Sequence, residues 1–130
     1  MNLESRYPEL GWAVEAAQEK QAADITVLHL KDLGAFAEYF LLCTGLSTPQ
    51  MEAIASEIEE QLSRHGVRLA HSEGRTSEEW MLLDYGSLVV HIFSQRARVF
   101  YDLERLWRSA KRLDISPPGP QAAIGGTPRP

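Results

Sequence analysis

WMLLDYGSLVVHIF, residues 80–93, reads as two apolar runs around a short polar break at Asp84, Tyr85, Gly86 and Ser87. Each run has the length of one strand, and Gly86 supplies a residue that tolerates positive φ in the turn. Leu88, Val89, Val90, Ile92 and Phe93 are apolar at consecutive positions rather than alternate ones. A strand of that kind is covered on both faces, which places it inside a layered domain. One carboxylate, one phenol and one imidazole (Asp84, Tyr85 and His91) lie within this hairpin. Polar groups among buried apolar strands need partners or a purpose.

Upstream, residues 9–23 read as a helix, with Pro8 suited to its first position and Leu10, Val14 and Ala17 on one face. ITVLHL (25–30) and YFLLCT (39–44) read as strands. Between them lies a connection, with a helical turn near Ala35 and Phe36. A second helix follows, with Thr48 as cap and Pro49 in its first turn. Its buried stripe is Met51, Ile54, Ile58 and Leu62, and it stops at Gly66 after Arg64 and His65. VRLA (67–70) is a short strand candidate, and residues 71–79 read as a polar loop. After the central hairpin, Ser94 caps a helix over residues 95–110 with Val99, Phe100, Leu103, Leu106 and Trp107 as its apolar face.

Strands alternating with helices predict an α/β domain, a mixed sheet flanked by helices, with the 80–93 pair as its antiparallel centre. A length of 130 residues suits one domain, placed at residues 1–113. Residues 116–130 hold five of the seven prolines and three of the nine glycines. That composition predicts a disordered Pro/Gly-rich tail over residues 114–130.

No apolar run approaches the roughly 20 residues that span a bilayer, and the first residues lack a signal-peptide pattern. One cysteine, Cys43, excludes an internal disulfide and fits a reducing, cytoplasmic setting. Within its apolar run it reads as a small buried hydrophobe. The net charge of −5 argues against a protein that grips bare DNA or RNA by its phosphates, and favours a basic protein partner. The same acidity also serves simple solubility.

Chemistry is sparse. His29, His65, His71 and His91 share no ligand spacing and there is no cysteine pair, so no metal site is predicted. Phosphate-binding glycine motifs are absent. Gly45-Leu46-Ser47 resembles the glycine-serine turn of nucleotidyltransferases, but no Asp-x-Asp pair follows to hold metal ions, and Asp84 stands alone. His91 with Asp84 forms a potential base pair lacking any nucleophile to complete a site, so a buried, hydrogen-bonded His91 is predicted. Trp80, after a loop containing Glu73, Glu78 and Glu79, reads equally as core rim or as an interface anchor. The residues alone therefore describe an α/β domain with no visible active site and no cofactor, a binder rather than an enzyme.

The segments Ala23-Asp24-Ile25, Glu38-Tyr39-Phe40, Cys43-Thr44-Gly45, Glu73-Gly74, Trp80, Leu83-Asp84-Tyr85-Gly86 with Val89-Val90-His91, and Tyr101-Asp102-Leu103-Glu104-Arg105-Leu106-Trp107 occur in that order. Together they resemble the ribosomal silencing factor, or Iojap-related, family over about residues 10–108. The resemblance implies a nucleotidyltransferase-like fold without catalytic residues. It implies binding to the large ribosomal subunit through its protein number fourteen, a steric block to subunit joining, repression of translation, and homodimers. The contact patch it implies comprises Trp80 and Leu82, with Asp84 and Tyr85 near the turn and Glu73 adding charge complementarity. The chain departs from the family's usual pattern at Glu38, where Asp is common, and at Pro49 before Gln50, where a basic residue is usual. A nucleotide-binding or nucleotidyltransferase-like enzyme is the alternative.

Overall fold

The computed structural model describes residues 7–30 and 37–113. The helical turn expected near Ala35 and Phe36, and the tail expected over residues 114–130, lie outside the described residues. In chain order the elements are α1 (Pro8–Glu19), β1 (Ala23–His29), β2 (Tyr39–Gly45), α2 (Thr48–Arg64), β3 (His71–Glu73), β4 (Trp80–Asp84), β5 (Leu88–Ser94), α3 (Gln95–Tyr101), α4 (Leu103–Leu106) and β6 (Lys111–Leu113).

The six strands form one mixed sheet in the order β3-β4-β5-β2-β1-β6. At its middle β2 and β5 run parallel, in register from Tyr39 opposite Leu88 to Gly45 opposite Ser94. The other pairings are antiparallel. The hairpin of residues 80–93 is present, with Gly86 at φ +93° in its turn. It is not the sheet's centre, however. Its β5 arm is central, but the strand on β5's other side is β2, which is parallel to it. The apolar runs of β2 and β5 satisfy one another because each is buried on both faces.

One face of the sheet carries α1 and α2. Leu10, Val14 and Ala17 of α1 and Met51, Ile54, Ile58 and Leu62 of α2 are buried against Leu41, Cys43, Met81, Leu83, Val90 and Ile92. Both helical stripes are those the spacing predicts. Burial also pushes the Cys43 thiol up to about 12, so it is an inert core group. The cap of α2 is Ser47 rather than Thr48: the Gln50 amide N–H donates to Ser47 Oγ at 3.2 Å. Gln50 itself is a clamp. Its Nε2 donates to the carbonyls of Lys20 and Gln21, and its Oε1 accepts from the Leu46 N–H, tying the end of α1 to the start of α2. α1 accordingly stops at Glu19, short of the predicted residue 23, and Gln21 takes a left-handed backbone (φ +61°).

The strand expected over residues 67–70 is displaced. Val67 and Leu69 pack on the α2 side of the core, while His71–Glu73 inside the expected loop pair with β4 as β3. Polar composition hid this strand because its side chains stand at the sheet margin.

The other face carries α3 and α4, where the sequence predicts one continuous helix over residues 95–110. Ser94 caps α3 as predicted, accepting from the Ala97 N–H at 3.0 Å. The helix then breaks at Asp102, which is left-handed at φ +47°, ψ 57°. Arg98 supplies the reason. Its side chain is only 9% exposed, and it donates to both carboxylate oxygens of Glu104 at 3.1 and 2.8 Å. It also donates to Thr44 Oγ1 at 2.9 Å and Thr26 Oγ1 at 3.1 Å. Residues six apart point away from each other on a straight helix. The break folds Glu104 back onto Arg98, and Asp tolerates the left-handed conformation better than most residues. The predicted apolar face splits as a result. Leu103 and Trp107 pack against the second core cluster with Leu28, Leu42 and Phe93, whereas Val99, Phe100 and Leu106 face outward. Lys111–Leu113 then adds β6 beside β1, a strand the periodicity does not reveal.

Removing Arg98 leaves the mostly buried Glu104 carboxylate with only the exposed Arg112, 3.7 Å away, as a charge partner. Arg98→Met is therefore expected to destabilise the fold by about 3 kcal/mol in urea unfolding. The double variant Arg98→Met/Glu104→Gln is expected to lose clearly less than the sum of the two single losses. Strict additivity would show that the fork does not hold the break.

Candidate functional site

β4 alternates. Met81 and Leu83 enter the α1–α2 core, which puts Trp80, Leu82 and Asp84 on the opposite face. Register extends that face into rows. Glu73, Leu82, His91 and Leu42 stand side by side across β3, β4, β5 and β2, and His71, Asp84, Val89 and Phe40 form the next row. The structure thus brings Glu73, Trp80, Leu82, Asp84 and His91 onto one face of the sheet, Glu73 by pairing with Leu82 across β3 and β4. Tyr85 is not among them. It turns to the α2 side, beside Val67, Leu69 and Glu59, where burial first, then the nearby Glu59 carboxylate, push its phenol up to about 12.

Trp80 is partly buried and tightly held. Its ring lies 5.0 Å from Phe93 and 4.6 Å from Tyr101, and its indole N–H donates to His91 Nδ1 at 3.1 Å. The core-rim reading of this residue holds, since Trp80 packs against the second core cluster while staying partly exposed. Entry into β4 is fixed by Ser77 Oγ, which accepts from the amides of Glu79 and Trp80. Gly74 is required in that loop: it sits at φ +73°, and a Cβ there would collide with the Trp80 carbonyl oxygen. Asp84 has a local task, accepting from the Gly86 N–H at 2.8 Å and so closing the β4–β5 turn. Its pairing with His91 as a base does not form. Val89, not His91, is its cross-strand neighbour.

His91 is buried and hydrogen-bonded, as its sequence setting predicts. An indole N–H only donates, so Nδ1 must be the bare nitrogen and Nε2 carries the proton. Phe40 meets its ring edge-on at 4.5 Å. Among the described residues Nε2 has no partner. Burial pulls the imidazole down to about 4. On the neighbouring α3–α4 unit, the hydrogen bonds from Arg98 hold the Glu104 carboxyl below the ordinary range. The residues that sequence reasoning missed, Arg98, Glu104 and the aromatic neighbours Phe40 and Tyr101, lie far from Trp80 in the chain or act through long-range contacts. The dense RARVFYDLERLW run, residues 96–107, is the signal that marks Arg98, Tyr101 and Glu104; nothing comparable marks Phe40, which lies within the apolar run of residues 39–44.

Among the described residues no group of three or more histidine, cysteine or carboxylate side chains is placed to hold a metal ion, and no helix is long and apolar enough to cross a membrane. Fold and site define a mixed-sheet α/β protein whose aromatic, imidazole and charged groups converge on one partly open sheet face. A family model described as "Ribosomal silencing factor during starvation" matches residues 4–127. The ribosomal silencing factor RsfS of Bacillus subtilis is 39% identical over 103 residues, covering 79% of this chain and 87% of that one. The chloroplastic protein Iojap of Arabidopsis thaliana is 32% identical over 109 residues, covering 82% of this chain and 45% of that one. A crystal structure of a protein from Chromobacterium violaceum superposes with a TM-score of 0.76 at 31% identity, over 90% of this chain and 95% of that one. The chain belongs to the ribosomal silencing factor family.

The buried imidazole makes stability depend on pH. The unfolded side chain titrates near 6.5 and the folded one near 4. Between those values the unfolded chain binds more protons, so stability is full above about pH 6.5 and falls as pH drops toward 4, by at most about 3 kcal/mol. Urea melts across this window are expected to show that loss, and His91→Gln is expected to flatten it.

Proposed function

We propose that this protein binds the large ribosomal subunit through its protein number fourteen, at the face that meets the small subunit, and blocks joining by occupying that face. Translation is repressed with no bond made or broken, and the site of action is the cytoplasm. The observation that carries the proposal is the β3–β4 margin, where the partly exposed apolar side chains of Leu82 and Val89 and the ring of Trp80 are rimmed by Glu73 and Asp84. Family membership supplies the ribosome as the partner class.

In this reading Trp80 and Leu82 provide the apolar contact, because aromatic anchors dominate interface energetics. Glu73 is exposed and steers a basic ribosomal protein into register. Asp84 contributes through the turn it closes, and Tyr85 supports that turn from the α2 side. The hydrogen bond to His91 and the packing on Phe93 and Tyr101 hold the indole in one orientation before binding, which lowers the ordering cost of association. The family resemblance extends the proposal to a homodimer, which light scattering of the purified protein would reveal.

Sucrose-gradient co-sedimentation tests this reading. The protein is expected to migrate with free large subunits, not small ones, and to reduce joined ribosomes. Trp80→Ala is expected to weaken binding by about 30-fold, the equivalent of about 2 kcal/mol. Since Trp80 also packs internally, Leu82→Arg serves as its companion at a partly exposed position. Unchanged binding by both variants, each folded by circular dichroism, would refute the patch assignment.

A further inference from the structure

Charge in this protein is segregated. Residues 95–113 hold six cationic side chains against two carboxylates, a positive surplus of four within a chain of net charge −5. Of the six, Arg98 is consumed internally by Glu104, Arg112 stands 3.7 Å from the same carboxylate, and Arg96 pairs with Glu79. Among the described residues no carboxylate comes within ion-pair distance of Arg105, Arg108 or Lys111. Arg105 and Arg108 line one concavity of about 500 Å³ together with Val99, Phe100, Tyr101, Leu106 and one carboxylate, Asp102, so two guanidinium groups face a single acid there. The break at Asp102 creates this hollow by turning α4 away from the line of α3.

The apolar groups in the hollow are far more exposed than a folded surface ordinarily leaves them. Val99 is 79%, Phe100 76% and Leu106 72% exposed. Grouped exposure of that kind marks a contact surface. Phe100 meets Tyr101 edge-to-face at 5.0 Å, leaving the Phe100 ring free to take a planar group. Unpaired guanidinium groups around an exposed aromatic ring are the combination that binds unpaired nucleotides, with phosphates on the arginines and a base on the ring.

We propose that the α3–α4 face is an RNA-contact surface, which takes the sugar-phosphate backbone of a ribosomal RNA loop on Arg105 and Arg108 and stacks an unpaired base on Phe100. The inference rests on the ribosome-binding reading and adds a second partner class to it. The surface is continuous with the β3–β4 patch, because Tyr101 packs on the Trp80 ring at 4.6 Å. The acidic patch with Glu73 and the basic one with Arg105 thus adjoin across one aromatic contact. Such a bipolar face fits a boundary where a basic ribosomal protein emerges from RNA. An acidic net charge therefore does not exclude an RNA contact, because phosphates respond to the local field within about a Debye length rather than to the total.

The test has two arms, both on the full chain. In the first, p-benzoylphenylalanine replaces Phe100 and the protein is irradiated on purified large subunits. Crosslinks to ribosomal RNA are expected. Crosslinks only to ribosomal protein would overturn the proposal and reassign the face to protein docking. In the second, fluorescence anisotropy follows binding to a labelled mixed-sequence single-stranded RNA of about 12 nucleotides, near the site size of small nucleic-acid modules. Phe100→Ala is expected to weaken this binding by about tenfold. Arg105→Ala/Arg108→Ala is expected to reduce the slope of log affinity against log salt by about 1.4, the value for two single-strand phosphate contacts. These positions are exposed, so circular dichroism should stay unchanged. Absence of RNA binding by the unmodified protein even at about 50 mM salt, with no RNA crosslink, would also sink the idea. If the protein failed to bind large subunits but bound RNA with these variant effects, the ribosome reading would fall and the RNA surface would stand.

Discussion

The parallel pairing of β2 with β5 is the constraint on which the other features depend. Both strands are apolar almost throughout, and both are buried on both faces. A sheet with such a middle must be covered twice. α1 and α2 cover one side with aliphatic stripes. The other side receives only short helices, α3 and α4, and their cover reaches Leu28, Leu42 and Phe93 but leaves the β3–β4 margin partly open. The candidate site is that unfinished cover.

The two faces are built by different means. The α1–α2 face is held by area and shape, where burial of aliphatic side chains contributes roughly 25 cal/mol per Å². The α3–α4 face is held by specific polar contacts set among rings. Arg98 spans to Thr26, Thr44 and Glu104, and Trp80 donates to His91. A polar network inside an apolar layer fixes orientation more sharply than packing alone, because each group has few acceptable partners. The orientation fixed here is that of the indole and of the broken helix, the two features that shape the outer surface.

The division of charge follows from the same arrangement. The carboxylates of Glu73 and Asp84 belong to β3 and β4, while the cations without a carboxylate partner among the described residues belong to α4, the turn beyond it and the start of β6. Had the last helix run straight, Arg98 would lack its carboxylate and the hollow beside Phe100 would not exist. One buried ion pair thus determines both an internal contact and the relief of the exterior.

The sequence by itself determined the apolar strands of the 80–93 hairpin and of residues 39–44, the stripe of α2, the caps at Ser94 and Gly66, the burial of Cys43 and His91, and the family motifs. These are local signals, carried by period and by residue type. Only the tertiary structure decided that β5 pairs in parallel with β2, that Glu73 joins the face of Leu82 while Tyr85 leaves it, and that the last helix breaks at Asp102. The physical reason is common to all three. Each is settled by a partner outside the residue's own strand or off the helical period: Ser94 beside Gly45, Leu82 beside Glu73, Glu104 beneath Arg98. Local propensity yields where a buried strand or a buried charge must be satisfied, because leaving either unpaired costs more than ending a helix.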